Sequence, residues 1–358
     1  MTLKELNIIN FKNIAEATLT FTSGFNCFVG NNGVGKTNVL DAIYHLSMCK
    51  SYFNLPDLQN IRHEEPFFVV QGKYERGGEE LTVYCGVKRG QKKVFKKNQK
   101  AYDKLSEHIG LIPLVMISPE DFILIDGGSE ERRKLVDGII SQCRLIRYNK
   151  ALTQRNMLLK SAAGKFLDPE MLEVWNEQLA EHGEAIRQKR IAFLKEFRSV
   201  FQTYYERLSL GREEVCLEYK PSVKEGNFLT ALKQAADRDR LLTYTTVGIH
   251  RDDLVLNIGD YAVRKIGSQG QKKTFLIALK LAQYHWLHQM SEVKPLLLLD
   301  DIFDKLDADR VEQIVKIVGG EMFGQVFITD TNRGHIDDIL RAQAVDYKLF
   351  TVTGGEIS

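Results

Sequence analysis

The chain has 358 residues, enough for two or three domains and a large buried core. A hydrophobic share of 44% and a charged share of 27% are ordinary for a globular protein, and no apolar run approaches the length of a membrane span. Forty-nine basic residues nearly balance 47 acidic ones, for a net charge of +2, so any nucleic-acid surface has to come from local segregation of charge. In chain order, Leu3 to Asn10 and Ala17 to Phe21 read as strands joined by a tight Phe11-Lys12-Asn13 link, and Phe25 to Val29 as a third. A helix is expected over residues 39–49, then an irregular stretch from Lys50 to Pro66. A hairpin follows, with arms Phe67 to Tyr74 and Glu80 to Lys88 around Gly77-Gly78.

From Lys88 to Lys100 stand Lys88, Arg89, Lys92, Lys93, Lys96, Lys97 and Lys100 with no acidic residue among them, interleaved with Phe95 and followed by Tyr102. Such a run is either a solvated strand edge that resists aggregation or a phosphate-contacting surface, and the sequence leaves both open. Leu111 to Ile117 reads as a buried strand ending at Ser118-Pro119-Glu120-Asp121. Composition then changes: from Ser129 to about Leu208 the pattern is helical and charged, broken at Ala162-Ala163-Gly164 and Asp168-Pro169. Leu172, Trp175, Leu179, His182, Ile186, Ile191, Leu194, Phe197, Phe201 and Tyr205 keep three- and four-residue spacing, the mark of two or three long helices packed together. A strand-rich pattern resumes by Leu241, with strands at Asp253 to Ile258 and Tyr261 to Arg264. Then come a helix at Lys272 to His288, a strand at Leu296 to Asp300, a helix at Asp309 to Val318, and strands at Gln325 to Thr329 and Ala344 to Val352. This alternation implies a mostly parallel α/β core. The cysteines (Cys27, Cys49, Cys85, Cys143 and Cys216) are scattered, with no CxxC pair, which argues against zinc and a disulfide framework and fits a reducing cytosol. The polar, alternating Met1 to Leu6 does not read as a signal peptide, so a cytoplasmic location is expected.

The chemistry starts at Gly30-Asn31-Asn32-Gly33-Val34-Gly35-Lys36-Thr37-Asn38, a complete phosphate-binding loop between a strand and a helix. Its glycines let successive N–H groups turn toward phosphate oxygens, and the helix N-terminus adds partial positive charge. Lys36 is placed to reach the β- and γ-phosphates, and the Thr37 hydroxyl to occupy one Mg²⁺ position. A nucleotide with Mg²⁺ is the expected ligand. The second signal is Leu296-Leu297-Leu298-Leu299-Asp300-Asp301, an apolar central strand ending on two acids. Asp300 is expected to hold Mg²⁺, and Asp301 to orient or deprotonate the attacking water. The third is Gly267-Ser268-Gln269-Gly270-Gln271 ahead of a helix, where Ser268, Gly270 and Gln271 offer a second anion site. Alone it reads as an ordinary capped turn.

The order of these segments, followed by Asp304-Lys305-Leu306-Asp307, resembles that of ABC-type ATPases. The resemblance implies that the signature closes on the γ-phosphate held by a second subunit, in an ATP-sandwiched homodimer. More closely, the sequence resembles the RecF family, bacterial recombination mediators related to SMC proteins. The likeness rests on Leu3-x-x-Leu6-x-Ile8-Ile9-Asn10-Phe11-Lys12-Asn13, on Ser118-Pro119-Glu120-Asp121, on Gly127-Gly128-Ser129-x-x-Arg132-Arg133, and on His250-Arg251-Asp252-Asp253 with Ser268-Gln269-Gly270-Gln271. It runs from the first residues to Asp307. It implies an ABC/SMC-type P-loop ATPase head with an inserted helical lid: head residues 1–118, lid 119–241, head 242–358. It also implies a slow, DNA-stimulated ATPase that acts as a switch in repair and replication. Its partners would be single-stranded and gapped duplex DNA together with RecO and RecR, and it would be linked to the SOS response.

The chain departs from the family at Lys272-Lys273, where Gln-Arg is more usual, and at Ser51-Tyr52-Phe53-Asn54, which lacks a basic residue often found there. Asp330 and Thr331 stand where many ABC proteins carry a γ-phosphate-sensing His. His250 reads as part of a polar network near the lid hinge in preference to a metal ligand or phosphate sensor. Arg132 and Arg133 read as helix-surface charges in preference to DNA contacts, and Trp175 as packing core. The competing reading from another class is a P-loop kinase or GTPase for a small molecule, which leaves the signature and the Asp-Asp strand end without a role; no Asn-Lys-x-Asp guanine motif occurs. A scaffold with a purely structural ATP site is the other alternative.

Overall fold

Left-handed backbone at Asn10 (φ 52°) and Lys12 (φ 54°) turns strand Thr2–Phe11 back on strand Ile14–Thr20, with Phe11 opposite Ile14. The structure, a computed structural model, describes residues 1–140, 142–163, 168–211, 213–223, 227–303, 306–331, 333–343 and 345–358. It divides into two units. The first comprises Met1–Asp121, Arg207–Ser209 and Ile277–Ser358; the second comprises Phe122–Glu206 and Leu210–Leu276. The second unit thus continues past the expected end at 241, because strand Asp253–Ile258 pairs along its whole length with strand Val215–Lys220.

The first unit holds two six-stranded sheets. One is antiparallel, built on Thr2–Phe11, Ile14–Thr20, Phe67–Arg76, Glu79–Lys88, Val94–Lys97 and Lys100–Ala101. Its central hairpin turns on Gly77 (φ 59°) and Gly78 (φ 86°), with Arg76 opposite Glu79. Two successive left-handed residues are what a two-residue hairpin turn requires. The other sheet places strand Phe25–Val29 between Tyr347–Thr353 and Val326–Asp330, then Leu296–Asp300, then Leu114–Ile117 at one edge. These five strands are parallel; the Glu356–Ile357 hairpin arm is antiparallel. Phe25–Val29, Leu296–Asp300 and Val326–Asp330 are buried at every position, as continuous apolar strands covered on both faces must be.

Helix Lys36–Met48 packs against strands of both sheets and is buried nearly all round, with Val39, Leu40, Ile43 and Leu46 fully covered. One continuous core joins them to Leu6 and Phe68 of the antiparallel sheet and to Leu298 and Phe327 of the parallel one. Burying each such side chain contributes about 1.5–3 kcal/mol. The helix that follows the phosphate loop is therefore anchored in the core of this unit.

In the second unit, helices Ser129–Ile140, Gln142–Ser161 and Pro169–Ser209 accompany the three-stranded sheet Val215–Lys220, Asp253–Ile258 and Tyr261–Ala262. The 41-residue helix starts where Asp168 caps it, its carboxylate accepting from the Glu170 N–H at 2.9 Å with proline in the first turn. Leu179, Ile186, Leu194, Phe197, Phe201 and Tyr205 are buried as their spacing predicts, and Trp175 packs on the core formed by Tyr148, Leu179, Ile186 and Phe228. Ile191 is the exception at 41% exposure. Its neighbour Arg190 turns inward instead, donating to both oxygens of Asp137 at 2.9 and 2.8 Å and to Asp252 at 2.8 Å. A second buried arginine, Arg155, donates to Asn176, Asp239 and Thr245 at 2.7–2.8 Å.

Elsewhere the elements shift. Only Tyr261 and Ala262 of the expected Tyr261 to Arg264 strand find partners, and Val263–Ile266 is a helical turn. Ala236–Leu242 is helical just where a strand-rich pattern was expected to resume. Strand Val215–Lys220 and helix Arg333–Ala342 had no counterpart in the sequence reading. Gly164 and Ala344 lie outside the described residues; the last long strand begins at Tyr347.

Candidate nucleotide site

The phosphate loop leaves strand Phe25–Val29 at its C-terminal end, where the Gly30 N–H donates to the Asp330 carbonyl of the adjacent strand at 3.3 Å. Gly33 (φ 79°) and Gly35 (φ 113°) adopt left-handed backbone, and Gly35 sits so close to Asn13 that a β-carbon would come within 2.6 Å of its side chain. Asn13 staples the loop: its Nδ2 donates to the Val34 carbonyl at 2.9 Å and its Oδ1 accepts from Asn38 Nδ2 at 2.7 Å. Lys36 Nζ, 3% exposed as a residue, donates to the Gly30 and Asn31 carbonyls at 2.9 and 3.0 Å, so its charge is held within the loop. Asn31 and Asn32 lie on the exposed rim.

The second motif meets the first in the same unit. Thr37 Oγ1 donates to Asp300 Oδ1 at 2.7 Å. Thr329, at the end of the intervening strand, donates to the same oxygen at 2.8 Å and accepts from the Asp301 N–H at 2.9 Å. One hydroxyl thereby fixes both acids. Asp301 has left-handed backbone (φ 46°), the kink that ends the strand between the two carboxylates. Burial pushes the Asp300 carboxyl up to about 6, helped by the nearby Asp301 charge and opposed by the Thr37 and Thr329 hydrogen bonds and by Lys36. A cation would offset that burial cost. Among the described residues no group of three or more His, Cys, Asp or Glu could hold a metal by itself. One hydroxyl plus one carboxylate, completed by substrate phosphates, is the donor set that suits Mg²⁺, so Thr37 and Asp300 fit that ion.

The third motif lies in the second unit. Ser268 and Gln271 form a reciprocal cap at the start of helix Gln269–Met290: the Ser268 N–H donates to Gln271 Oε1 at 2.8 Å, and the Gln271 N–H donates to Ser268 Oγ at 3.2 Å. The Gly270 carbonyl accepts from Thr274 Oγ1 at 2.9 Å within the first turn. Asp304 and Lys305 lie outside the described residues; Asp307 caps helix Ala308–Val318 through the Arg310 N–H at 2.8 Å.

Two of the distinctive sequence marks interlock. Arg132 donates to both oxygens of Asp253 at 3.0 and 3.2 Å and to the Leu124 and Gly127 carbonyls. Arg133 donates to Ser129 Oγ and the Asp252 carbonyl. Arg132, 6% exposed, is therefore a buried clamp and not a surface charge, because a carboxylate and two orphan carbonyls converge on it. His250 lies in a polar network: Nδ1 meets the Tyr148 hydroxyl at 2.8 Å and Nε2 the Thr245 carbonyl at 3.0 Å. Burial draws its imidazole down to about 4, against the pull of the Thr245 carbonyl.

In the basic run, Lys93 is spoken for by the Cys49 carbonyl at 2.6 Å and by Asp57 at 2.8 Å. Lys96 lies 5.4 Å over the Tyr84 ring, and Lys88, Arg89, Lys92, Lys97 and Lys100 are exposed. Beside Ser51 to Asn54 stands Lys12, which bonds Asp41 at 2.6 Å and covers the Phe53 ring at 4.7 Å; Asp41 in turn accepts from Ser51 Oγ at 2.8 Å and the Tyr52 N–H at 2.7 Å. Asp121 of the Ser-Pro-Glu-Asp segment accepts from the Ser118 N–H at 3.0 Å and pairs with Lys280 at 2.7 Å. Asp330 is the buried last residue of its strand, and Lys272 pairs with Asp126 at 2.7 Å. Asn13, Thr329 and Glu213 are the structural contributors that motif reading missed. Only Asn13 left a trace, as the end of the N-terminal mark.

A phosphate loop joined to a strand-end acid across a parallel sheet, beside an antiparallel sheet, defines an ABC/SMC-type P-loop ATPase head. The family model described as RecF/RecN/SMC N terminal domain matches residues 2–353. The chain is 53% identical over its whole length to a protein of Phocaeicola vulgatus named DNA replication and repair protein RecF, covering 98% of it. A solved structure of the recombination mediator protein RecF-ATP in the RecFOR pathway superposes with a TM-score of 0.86 at 30% identity, over 99% of this chain and 96% of that one. The Smc head domain of Pyrococcus furiosus shares the fold, with a TM-score of 0.60 at 16% identity over 99% of this chain and 95% of that one. This chain belongs to the RecF/RecN/SMC family and, within it, to RecF.

Proposed function

We propose that the chain is an ATP-dependent switch of recombinational DNA repair and DNA replication. The observation that carries this reading is the 2.7 Å Thr37–Asp300 pair at the mouth of the phosphate loop, set in a RecF chain. The loop residues Gly30 to Asn38 bind ATP, with backbone N–H groups and Lys36 on its phosphates. Thr37 and Asp300 would hold Mg²⁺, which would supply positive charge to the bound phosphates. Asp301 orients the attacking water and takes its proton as the γ-phosphoryl bond breaks, giving ADP and inorganic phosphate. Support for ATP comes from the relative solved with ATP.

The remaining roles follow from the family. Two chains close head to head, each offering Ser268, Gly270 and Gln271 to the γ-phosphate bound by the other. Closure creates a surface for single-stranded and gapped duplex DNA, and hydrolysis reopens it. The chain works in the cytoplasm with RecO and RecR to load recombinase, and its activity feeds the SOS response. The domain assignment that goes with this reading is an ATPase head interrupted by a helical lid.

Ser268 supplies the test. Ser268→Arg is expected to bind ATP normally as a monomer, because its own phosphate loop is untouched, yet fail to dimerise with ATP. Lys36→Met is expected to lose tight ATP binding. A heterodimer of the two has one composite site with both lesions and one with neither, so mixing should restore some hydrolysis. Light scattering and turnover on the same mixtures decide it: ATP-dependent dimers of Ser268→Arg, or loss of ATP binding by its monomer, would overturn the reading.

A further inference from the structure

The Ser268–Gln271 cap does not stand alone. Gln271 Nε2 donates to Glu213 Oε1 at 2.8 Å, across 58 positions of sequence, and the other oxygen of Glu213 accepts from the Tyr205 hydroxyl. Tyr205 is fully buried on the long helix, its ring packed against Phe201 and Phe275. A rigid aromatic thus fixes a carboxylate, the carboxylate fixes an amide, and the amide fixes the signature serine.

The chemistry of an amide gives this chain of contacts a direction. Gln271 must present its oxygen to the Ser268 N–H and its NH₂ to Glu213. Turned over, it would set donor against donor at Ser268 and acceptor against acceptor at Glu213. An ionised carboxylate accepts and cannot donate, so Glu213 locks the amide in one orientation. The lock decides what Ser268 has to offer. Its N–H is taken by Gln271, and a lone pair of its hydroxyl oxygen is taken by the Gln271 N–H. The hydroxyl proton is left as the outgoing donor, on an oxygen held by the Gln271 N–H and a residue held by the Gln271 amide oxygen.

We propose that Glu213, backed by Tyr205, is a positioning residue that locks Gln271 and so presents the Ser268 hydroxyl as a preformed phosphate donor. The functional half rests on the reading that Ser268 acts on a nucleotide phosphate; the positional half does not. In the full chain without ATP, Glu213→Ala is expected to speed amide hydrogen exchange at Ser268 about tenfold, the scale of losing a helix cap. Tyr205→Phe should do so by a smaller factor, with exchange in the Val215–Lys220 strand unchanged. With ATP, Glu213→Ala should keep KM within about twofold while kcat and ATP-dependent association each fall about tenfold. Glu213→Gln, equal in shape but able to donate, removes one of the two constraints on the Gln271 amide and should fold as the parent with a smaller fall in kcat, because the Ser268 N–H still calls for the amide oxygen. Unchanged Ser268 exchange in Glu213→Ala overturns the proposal. Faster exchange with parental association and kcat would keep the lock and refute the role of Ser268 across a dimer.

Discussion

The Thr37 hydroxyl and the Asp300 carboxylate meet at 2.7 Å although 263 positions separate them, and the contact sits where burial has already pushed the carboxyl up to about 6. The site therefore stores a cost: an acid that a bound cation would relieve weighs on the chain by itself.

That cost is measurable as a pH-dependent stability. The folded carboxyl binds its proton more tightly than the unfolded one, whose ordinary value is 3.8. Stability from this group is therefore present below that value and is lost as pH rises through about 6. Asp300→Asn should raise thermal stability at pH 8 by about 1–3 kcal/mol without nucleotide, converge with the parent near pH 4, and lose Mg²⁺-dependent turnover. Melts at the two pH values check it; an equal destabilisation at both would mean that burial is not the cause.

Asp301→Asn should leave ATP affinity within about twofold and cut turnover by about a hundredfold or more, accumulating the closed dimer. Asparagine is the right replacement because it tolerates the left-handed backbone at this residue (φ 46°). Parental turnover in this variant would place water activation elsewhere.

The basic run divides into two kinds of lysine. If Lys92, Lys96 and Lys97 contact phosphates, replacing them with Gln should weaken DNA binding equally for all sequences and flatten the salt slope by about 0.9 per lost phosphate contact. An unchanged slope returns them to a solvated edge. Lys93→Gln should act differently, lowering stability by about 1–3 kcal/mol, since it removes the cation bonded to the Cys49 carbonyl and leaves Asp57 with only His45 beside it.

Acid should weaken the second unit through His250. Drawn down to about 4, His250 contributes stability above its ordinary value of 6.5 that is lost as pH falls toward 4. Trp175 reports from this unit. In a variant that keeps Trp175 as its single tryptophan, the denaturant midpoint should be lower at pH 5 than at pH 7. Equal midpoints would refute the assignment of His250.

Much of this was legible in the sequence because local pattern and tertiary demand agree. Leu296 to Leu299 fit a strand covered on both faces, and Gly30 to Thr37 a turn ahead of a helix, and the fold agrees with both. Reading failed where a distant partner decides. Arg190 turns inward and Ile191 outward because Asp137 and Asp252 wait inside, and no spacing rule reports a carboxylate 53 or 62 positions away. Arg132 was misjudged for the same reason. Thr329 carries no motif at all; its role comes from lying between two strand ends. The stretch from Tyr261 had the residues of a strand but only two with a partner to pair with.

Strand Phe25–Val29 takes both of its neighbours, Val326–Asp330 and Tyr347–Thr353, from the far end of the chain. During synthesis the phosphate loop emerges early and then waits, on the order of tens of seconds at ordinary elongation rates, before either flanking strand exists. The second unit, contiguous but for three residues between Phe122 and Leu276, is complete long before. A ribosome stalled short of residue 326 would carry strand Phe25–Val29 with neither flanking strand, so the parallel sheet that seats the phosphate loop stays open until residues 326–353 have been made.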